Sequence, residues 1–170
     1  LSVFTLFFVT FLYYRGLSPD LFEASSGLLR RDLGALNTMI LLASSWCVAS
    51  FANALRRGGE SRRALTYLGG AIGCGLAFVA VKVFEYWGAI ANGVNVLTDD
   101  FFMFYFMLTG IHLVHLAVGL SLLVATIQHL RRVLPLGQPV NDELVGFSSC
   151  FWHMIDIVWI VLFPLLYLLQ

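Results

Sequence analysis

Six ionisable side chains interrupt the apolar stretches of this sequence. They fall in three pairs of identical spacing: Lys82 and Glu85, His112 and His115, His153 and Asp156. Residues three apart share one face of a helix, so each pair presents its two polar heads together. An ionisable group in an apolar helix is costly, and by default it marks a functional site. Lys82 and Glu85 have two readings: an intrahelical salt bridge that lowers the cost of burying either charge, or a carboxylate that handles protons. His153 and Asp156 suggest an imidazole held by a carboxylate one turn away, within a hydrogen-bonded network. His112 and His115 raise the question of a metal, since two imidazoles on one face are half of a site. The paired Glu-x-x-His motifs of di-iron bundles are missing, however. A haem between helices stays open as an alternative, with His112 or His115 facing His153 as axial ligands. The expectation adopted is that no metal binds and that the histidines buttress helix contacts.

Other chemistry finds no support. The sequence holds no G-x-S-x-G, phosphate loop, H-E-x-x-H or dinucleotide fingerprint, so no catalytic residue is assigned. Cys47, Cys74 and Cys150 lie in apolar runs without C-x-x-C spacing and read as small buried hydrophobes. Ten Lys plus Arg balance ten Asp plus Glu. Bulk charge therefore gives no reason to expect a nucleic-acid partner.

The elements that must position these pairs are membrane helices. Hydrophobic residues make up 59% of the 170 residues and charged residues 12%, about half the charge of an ordinary soluble domain. Four runs, 33–55, 64–91, 101–128 and 147–169, have the length and composition of membrane spans. A fifth, 1–14, covers only about 21 Å at 1.5 Å per residue. Because the sequence opens on Leu1 rather than Met, a preceding segment is expected, with 1–14 the visible end of a longer span. A barrel is excluded, because the runs are too long for barrel strands and do not alternate. The expected fold is thus all-α: a polytopic bundle of five transmembrane helices, forming a single membrane domain over 1–170. All six ionisable residues then lie within roughly 10 Å of the midplane of their spans.

Loops follow from turn and charge signals. Arg15-Gly16-Leu17-Ser18-Pro19-Asp20 closes the first span, and Arg56-Arg57-Gly58-Gly59-Glu60 closes the second. Asn92-Gly93 and Asp99-Asp100 bracket a third loop, and residues 135–143, with Pro135 and Pro139, form a fourth. Arg56, Arg57, Arg62, Arg63, Arg131 and Arg132 lie on one side, and Arg15, Arg30 and Arg31 on the other. The basic excess places the N-terminus inside and Gln170 outside. Gly69, Gly73 and Ala77 recur every four residues and are expected to mediate close helix contact, as are Gly110 and Gly119 on the next span. Tyr13, Tyr14, Trp87 and Tyr167 fall near span ends, where interfacial aromatic belts form.

Three stretches also carry a resemblance. Phe106-Met107-Leu108-Thr109-Gly110-Ile111-His112-Leu113-Val114-His115, followed by Gly119, resembles the threonine-glycine, two-histidine helix of subunit III of haem-copper oxidases. Phe151-Trp152-His153-Met154-Ile155-Asp156-Ile157-Val158-Trp159 looks like that family's final helix, and Leu36-Asn37-Thr38-Met39-Ile40-Leu41-Leu42-Ala43-Ser44-Ser45 like the second of its five shared helices. Glu85-Tyr86 falls where the family has a buried glutamate followed by tyrosine. The match runs in order over about 3–169.

The resemblance implies the short, five-helix form of a subunit that is itself without haem or copper. Such a subunit packs against a catalytic haem-copper subunit I in a respiratory complex of aerobic electron transport. It carries phospholipid in its clefts and supports complex integrity and proton uptake; the expected setting is a bacterial cytoplasmic membrane. Three departures stand out. Lys82 replaces the usual glutamine, Gly146 stands where a glutamate is common (Glu143 lies one turn earlier), and the carboxylate that opens the first shared helix would fall at or before Leu1. The short form with Lys82-Val83-Phe84-Glu85-Tyr86 also looks like the branch associated with nitric oxide reductases. From another class, a proton-coupled transporter would use Lys82, Glu85 and Asp156 as its relay.

Overall fold

The computed structural model describes residues 2–27, 29–56, 61–136 and 140–168. Leu1, Arg57, the Gly58-Gly59-Glu60 turn, Pro139, Leu169 and Gln170, on which parts of the span, loop and orientation readings rest, lie outside the described residues. The described chain is a helical bundle: α1 (Ser2–Leu17), α2 (Pro19–Ser26), α3 (Arg31–Arg56), α4 (Ser61–Ala91), α5 (Asp100–Val133) and α6 (Asp142–Phe163). A 3-10 turn over Leu134–Leu136 follows α5, and α6 runs into a π-helical turn over Pro164–Leu168. Four helices, within 31–56, 62–91, 100–136 and 142–168, are long and apolar enough to cross a membrane, and Val3–Leu17 is a shorter apolar helix. Large apolar side chains point away from the bundle, among them Leu6, Met39 and Trp87, the last 76% exposed. This is the polytopic membrane bundle expected from composition.

Several boundaries differ for local reasons. Ser18-Pro19 starts a short helix instead of a plain loop, because proline at the first helical position gives up an N–H that has no intrahelical partner. At the other end of α4, Gly93 adopts φ 79°. The amide of Val94 reaches the Ala89 carbonyl and that of Gly93 reaches Ile90, both at 3.0 Å. This is a Schellman stop, and glycine bears its left-handed residue without steric cost. α5 outlasts its apolar run through Arg131 and Arg132, whose charges complement the C-terminal dipole. α6 begins at Asp142 rather than near 147: Asn141 accepts the Leu144 amide at 3.0 Å, and Asp142 and Glu143 occupy the first turn.

α3 and α4 form an extensive pair, α6 packs on both α3 and α5, and α1 and α2 pack on α5. Phe11 and Phe22 meet Phe101 in an aromatic cluster that joins α1 and α2 to the start of α5. A polar tie reinforces it: Ser25 donates to Asp99 Oδ2 at 2.7 Å, while Asp99 Oδ1 caps α5 through the Phe102 amide at 2.9 Å. Asp99→Ala removes both bonds. A loss of about 1 kcal/mol is expected from the cap alone, read as a lower midpoint of detergent-solubilised unfolding; an unchanged midpoint would contradict the tie.

Close helix approach is found elsewhere than the four-residue stripe suggested. Gly69, Gly73 and Ala77 are exposed, and a Cβ on either glycine would meet nothing within 4 Å. The same holds for Gly110. Spacing defined a face, but that face of α4 points away from the bundle. The tight positions among the described glycines are Gly34, where a Cβ would lie 2.9 Å from the Phe163 ring, Gly75, where it would lie 2.8 Å from Leu120 and 2.9 Å from the Trp152 ring, and Gly119, where it would lie 2.6 Å from Ile155 and 3.0 Å from Trp152. Trp152 thus fills a slot between α4 and α5. It is fixed there by donating to Ser44 Oγ at 3.1 Å, and Ser44 in turn donates to the Ala71 carbonyl at 3.1 Å.

Candidate functional site

α4 turns Lys82 and Glu85 into the bundle, where Lys82 is fully buried and Glu85 is 6% exposed. The ammonium lies 3.0 Å from Glu85 Oε2, the intrahelical salt bridge offered by the i, i+3 spacing. Two tyrosines complete its surroundings. Lys82 donates to Tyr167 Oη at 2.8 Å and to Tyr105 Oη at 3.3 Å, and Tyr167 donates to Glu85 Oε1 at 2.6 Å. Both carboxylate oxygens and the ammonium therefore have partners, which is what makes a buried pair tolerable. The rings of Tyr105 and Trp159 also approach the ammonium, with centroids at 4.9 and 5.0 Å. Such faces attract a cation, most strongly when it is desolvated.

Tyr167 is the residue that position along the chain misplaced. Near a span end it reads as an interfacial belt residue, yet it is fully buried. The π-helical turn after Phe163 carries it inward. Pro164 opens that turn, and proline cannot supply the amide that would continue a regular α-helical ladder. Tyr13, Tyr14 and Trp87, by contrast, are exposed.

His112 and His115 separate instead of converging. His112 is buried between Phe78 and Trp159, at centroid distances of 5.6 and 5.1 Å. His115 turns towards α1, where its ring lies 5.3 Å from that of Phe4 and its Nδ1 bonds the Ile111 carbonyl at 2.8 Å. The fully buried Trp159 is thus a wall shared by Lys82 and His112, and its own Nε1 donates to Thr38 at 3.1 Å. Tyr86 bonds Thr109, whose hydroxyl bonds back to the Tyr105 carbonyl. The threonine of the Thr109-Gly110 pair therefore anchors the tyrosine that follows Glu85.

The third pair occupies a different surface. His153 is partly exposed on the outer side of the α3–α6 contact, and its Nδ1 is hydrogen-bonded to Ser45 on α3 at 2.8 Å. Asp156 is 3.9 Å from that nitrogen, too far for a hydrogen bond. Asn37, His112 and Asp156 are buried with side-chain polar atoms that have no hydrogen-bond partner among the described residues. Among those residues no group of three or more His, Cys, Asp or Glu could hold a metal ion. The serine on α3, like the tyrosines around Lys82, reaches the site across helices, and no spacing along one helix reveals it.

A sequence profile described as cytochrome c oxidase subunit III matches residues 25–170. The chain belongs to the cytochrome c oxidase subunit III family. Cytochrome c oxidase subunit 3 of Synechocystis sp. is 28% identical over 170 residues, covering 99% of this chain and 70% of that protein. The subunit of the same name from Alkalihalophilus pseudofirmus is 28% identical over 169 residues, 98% of this chain and 80% of its own length. Cytochrome bo(3) ubiquinol oxidase subunit 3 of Pseudomonas aeruginosa is 33% identical over 135 residues, 79% of this chain and 63% of that protein. The profile match takes in all three ionisable pairs of this subunit III family member and leaves out α1.

Proposed function

We propose that the chain is a non-catalytic subunit III of a haem-copper terminal oxidase in a bacterial cytoplasmic membrane. Its N-terminus is inside and its C-terminus outside, and haem and copper belong to the partner subunit I. The observation that carries the accessory role is that the most polar part of the bundle closes on itself: Lys82, Glu85, Tyr105 and Tyr167 use their polar groups on one another. Such a network fixes α4, α5 and the end of α6 in register and supports the assembly of a larger complex. Glu85 also lines a cleft of about 360 Å³ with Leu33, Phe84 and Phe102, and Arg30 and Asn92 contribute polar groups to it. Apolar walls with a cation suit a phospholipid, and the carboxylate in the lining supports a part in proton uptake by the catalytic subunit.

Gentle detergent purification of the tagged chain from its own membranes tests this. A haem-copper catalytic subunit is expected to co-isolate and to carry the whole haem spectrum. Isolation without one, or a Soret band from this chain alone, would refute the assignment. A second reading, association with a nitric-oxide-reductase type of catalytic subunit, draws on Lys82 beside Glu85 in place of the usual glutamine; nitric oxide consumption without oxygen consumption by the isolated complex would select it. Proton flux through liposomes holding this chain alone would instead favour the transporter class.

A further inference from the structure

The third ionisable pair is not satisfied as the first is. His153 lies near the middle of the helical stretch Asp142–Leu168, and its side chain is 38% exposed. Asp156, one turn on, is 5% exposed, and both its oxygens are enclosed without a hydrogen bond among the described residues. In the Lys82 network, by contrast, both carboxylate oxygens and the ammonium have partners. An enclosed carboxyl group without a partner is costlier than an apolar side chain of its size. Packing alone therefore gives no reason for an aspartate at 156.

Ser45 of α3 stands between the two members of the pair. Its Oγ is bonded to His153 Nδ1 at 2.8 Å, and the same hydroxyl lies against the Asp156 carboxyl group. The direct route is closed, since Asp156 Oδ2 is 3.9 Å from Nδ1. A serine hydroxyl has one hydrogen to give and two lone pairs that accept. When Ser45 gives that hydrogen to Nδ1, Asp156 is left without a donor, which suits the neutral carboxyl group. When Nδ1–H donates to Oγ instead, the hydrogen is free to turn to Asp156, which then suits the carboxylate.

The two arrangements differ by one proton. Moving it breaks Nδ1–H and forms an O–H bond on Ser45, while the original serine O–H breaks and the carboxyl O–H forms. The serine ends as it began. No charged group joins the cluster among the described residues: Lys82 and Glu85 pair with each other, His112 packs between Phe78 and Trp159, and His115 turns to α1.

We propose that His153, Ser45 and Asp156 form a proton-exchange site. The outward imidazole takes a proton from water at Nε2, and the serine hydroxyl passes one from Nδ1 to the buried carboxylate. Asp156 stores the proton, His153 is its route to the exterior, and Ser45 is the link between them. The site lies wholly within this chain and does not depend on which catalytic subunit accompanies it.

Hydrogen–deuterium exchange of the Asp156 carboxyl group tests this, read by infrared difference spectroscopy on the full chain purified from its own membranes. The carboxyl band lost in Asp156→Asn identifies the group, and perfusion with heavy water times its downshift. Ser45→Thr and Ser45→Val have the same shape and differ in the hydroxyl. The threonine variant is expected to exchange as fast as the unsubstituted chain, and the valine variant at least about tenfold more slowly, or about 1.4 kcal/mol of barrier. His153→Leu, which keeps Ser45, should slow exchange as much. Equal rates in the threonine and valine variants would overturn the site. So would an unchanged rate in His153→Leu, or a carboxyl band that Asp156→Asn leaves intact throughout about pH 5 to 8. None of these outcomes bears on the subunit assignment, which stands or falls on co-isolation.

Discussion

Replacing Lys82 by methionine is expected to destabilise the solubilised chain by about 3–5 kcal/mol, the usual cost of stranding one partner of a buried ion pair. The methionine fills most of the same space, so little of that loss comes from a cavity. What remains is Glu85, its side chain 4% exposed, with one oxygen still accepting from Tyr167 and the other deprived of its cation. Lys82→Gln should fall between methionine and the unsubstituted chain, because an amide still donates to the carboxylate. The decisive comparison is the double variant Lys82→Met with Glu85→Gln, which removes the stranded charge and keeps an acceptor for Tyr167. It should recover at least half of the loss in a sodium dodecyl sulfate titration followed by circular dichroism. A double variant no better than Lys82→Met would show that the stranded charge is not the source of the damage.

The second large effect concerns the slot of Trp152. Gly119→Val places branched carbon where a single Cβ already lies 2.6 Å from Ile155 and 3.0 Å from the indole. The atom met on Ile155 is its terminal methyl, at the flexible end of the side chain, but Trp152 is held through Ser44 and cannot retreat without breaking that bond. Overpacking of this kind costs about 1–3 kcal/mol, and the tether on Trp152 places Gly119→Val at the upper end. Gly75→Val should behave similarly from the α4 side. Gly73→Ala is the control: its side chain enters open space and removes a glycine from a helix interior, so the unfolding midpoint should hold or rise slightly. Equal losses at 73 and 119 would contradict the packing described here.

These two sites show what a linear sequence can disclose. The Lys82–Glu85 bridge was legible because both residues ride on one helix and the spacing alone makes them neighbours. Tyr105 and Tyr167 were not, since each comes from another helix and Tyr167 is brought in by a π-helical turn at Pro164. The four long apolar helices followed from composition, whereas the short α2 and the ends of α5 and α6 were set by a proline, charges and caps that hydropathy does not register. The glycine pattern failed in a different way. Periodicity correctly put Gly69, Gly73 and Ala77 on one face, but which face meets a neighbour depends on the whole bundle. His112 and His115 share a similar history: three residues apart, they diverge because one faces α4 and α6 and the other faces α1.

The Lys82 network also has an order of assembly in time. Its last donor, Tyr167, is encoded 85 residues after Lys82. At roughly 5–20 residues per second of synthesis, α4 waits about 4–17 s before that hydroxyl exists. During that interval the growing chain holds a charged pair whose final partner is still on the ribosome. The closing of the network therefore reports that the last helix has arrived.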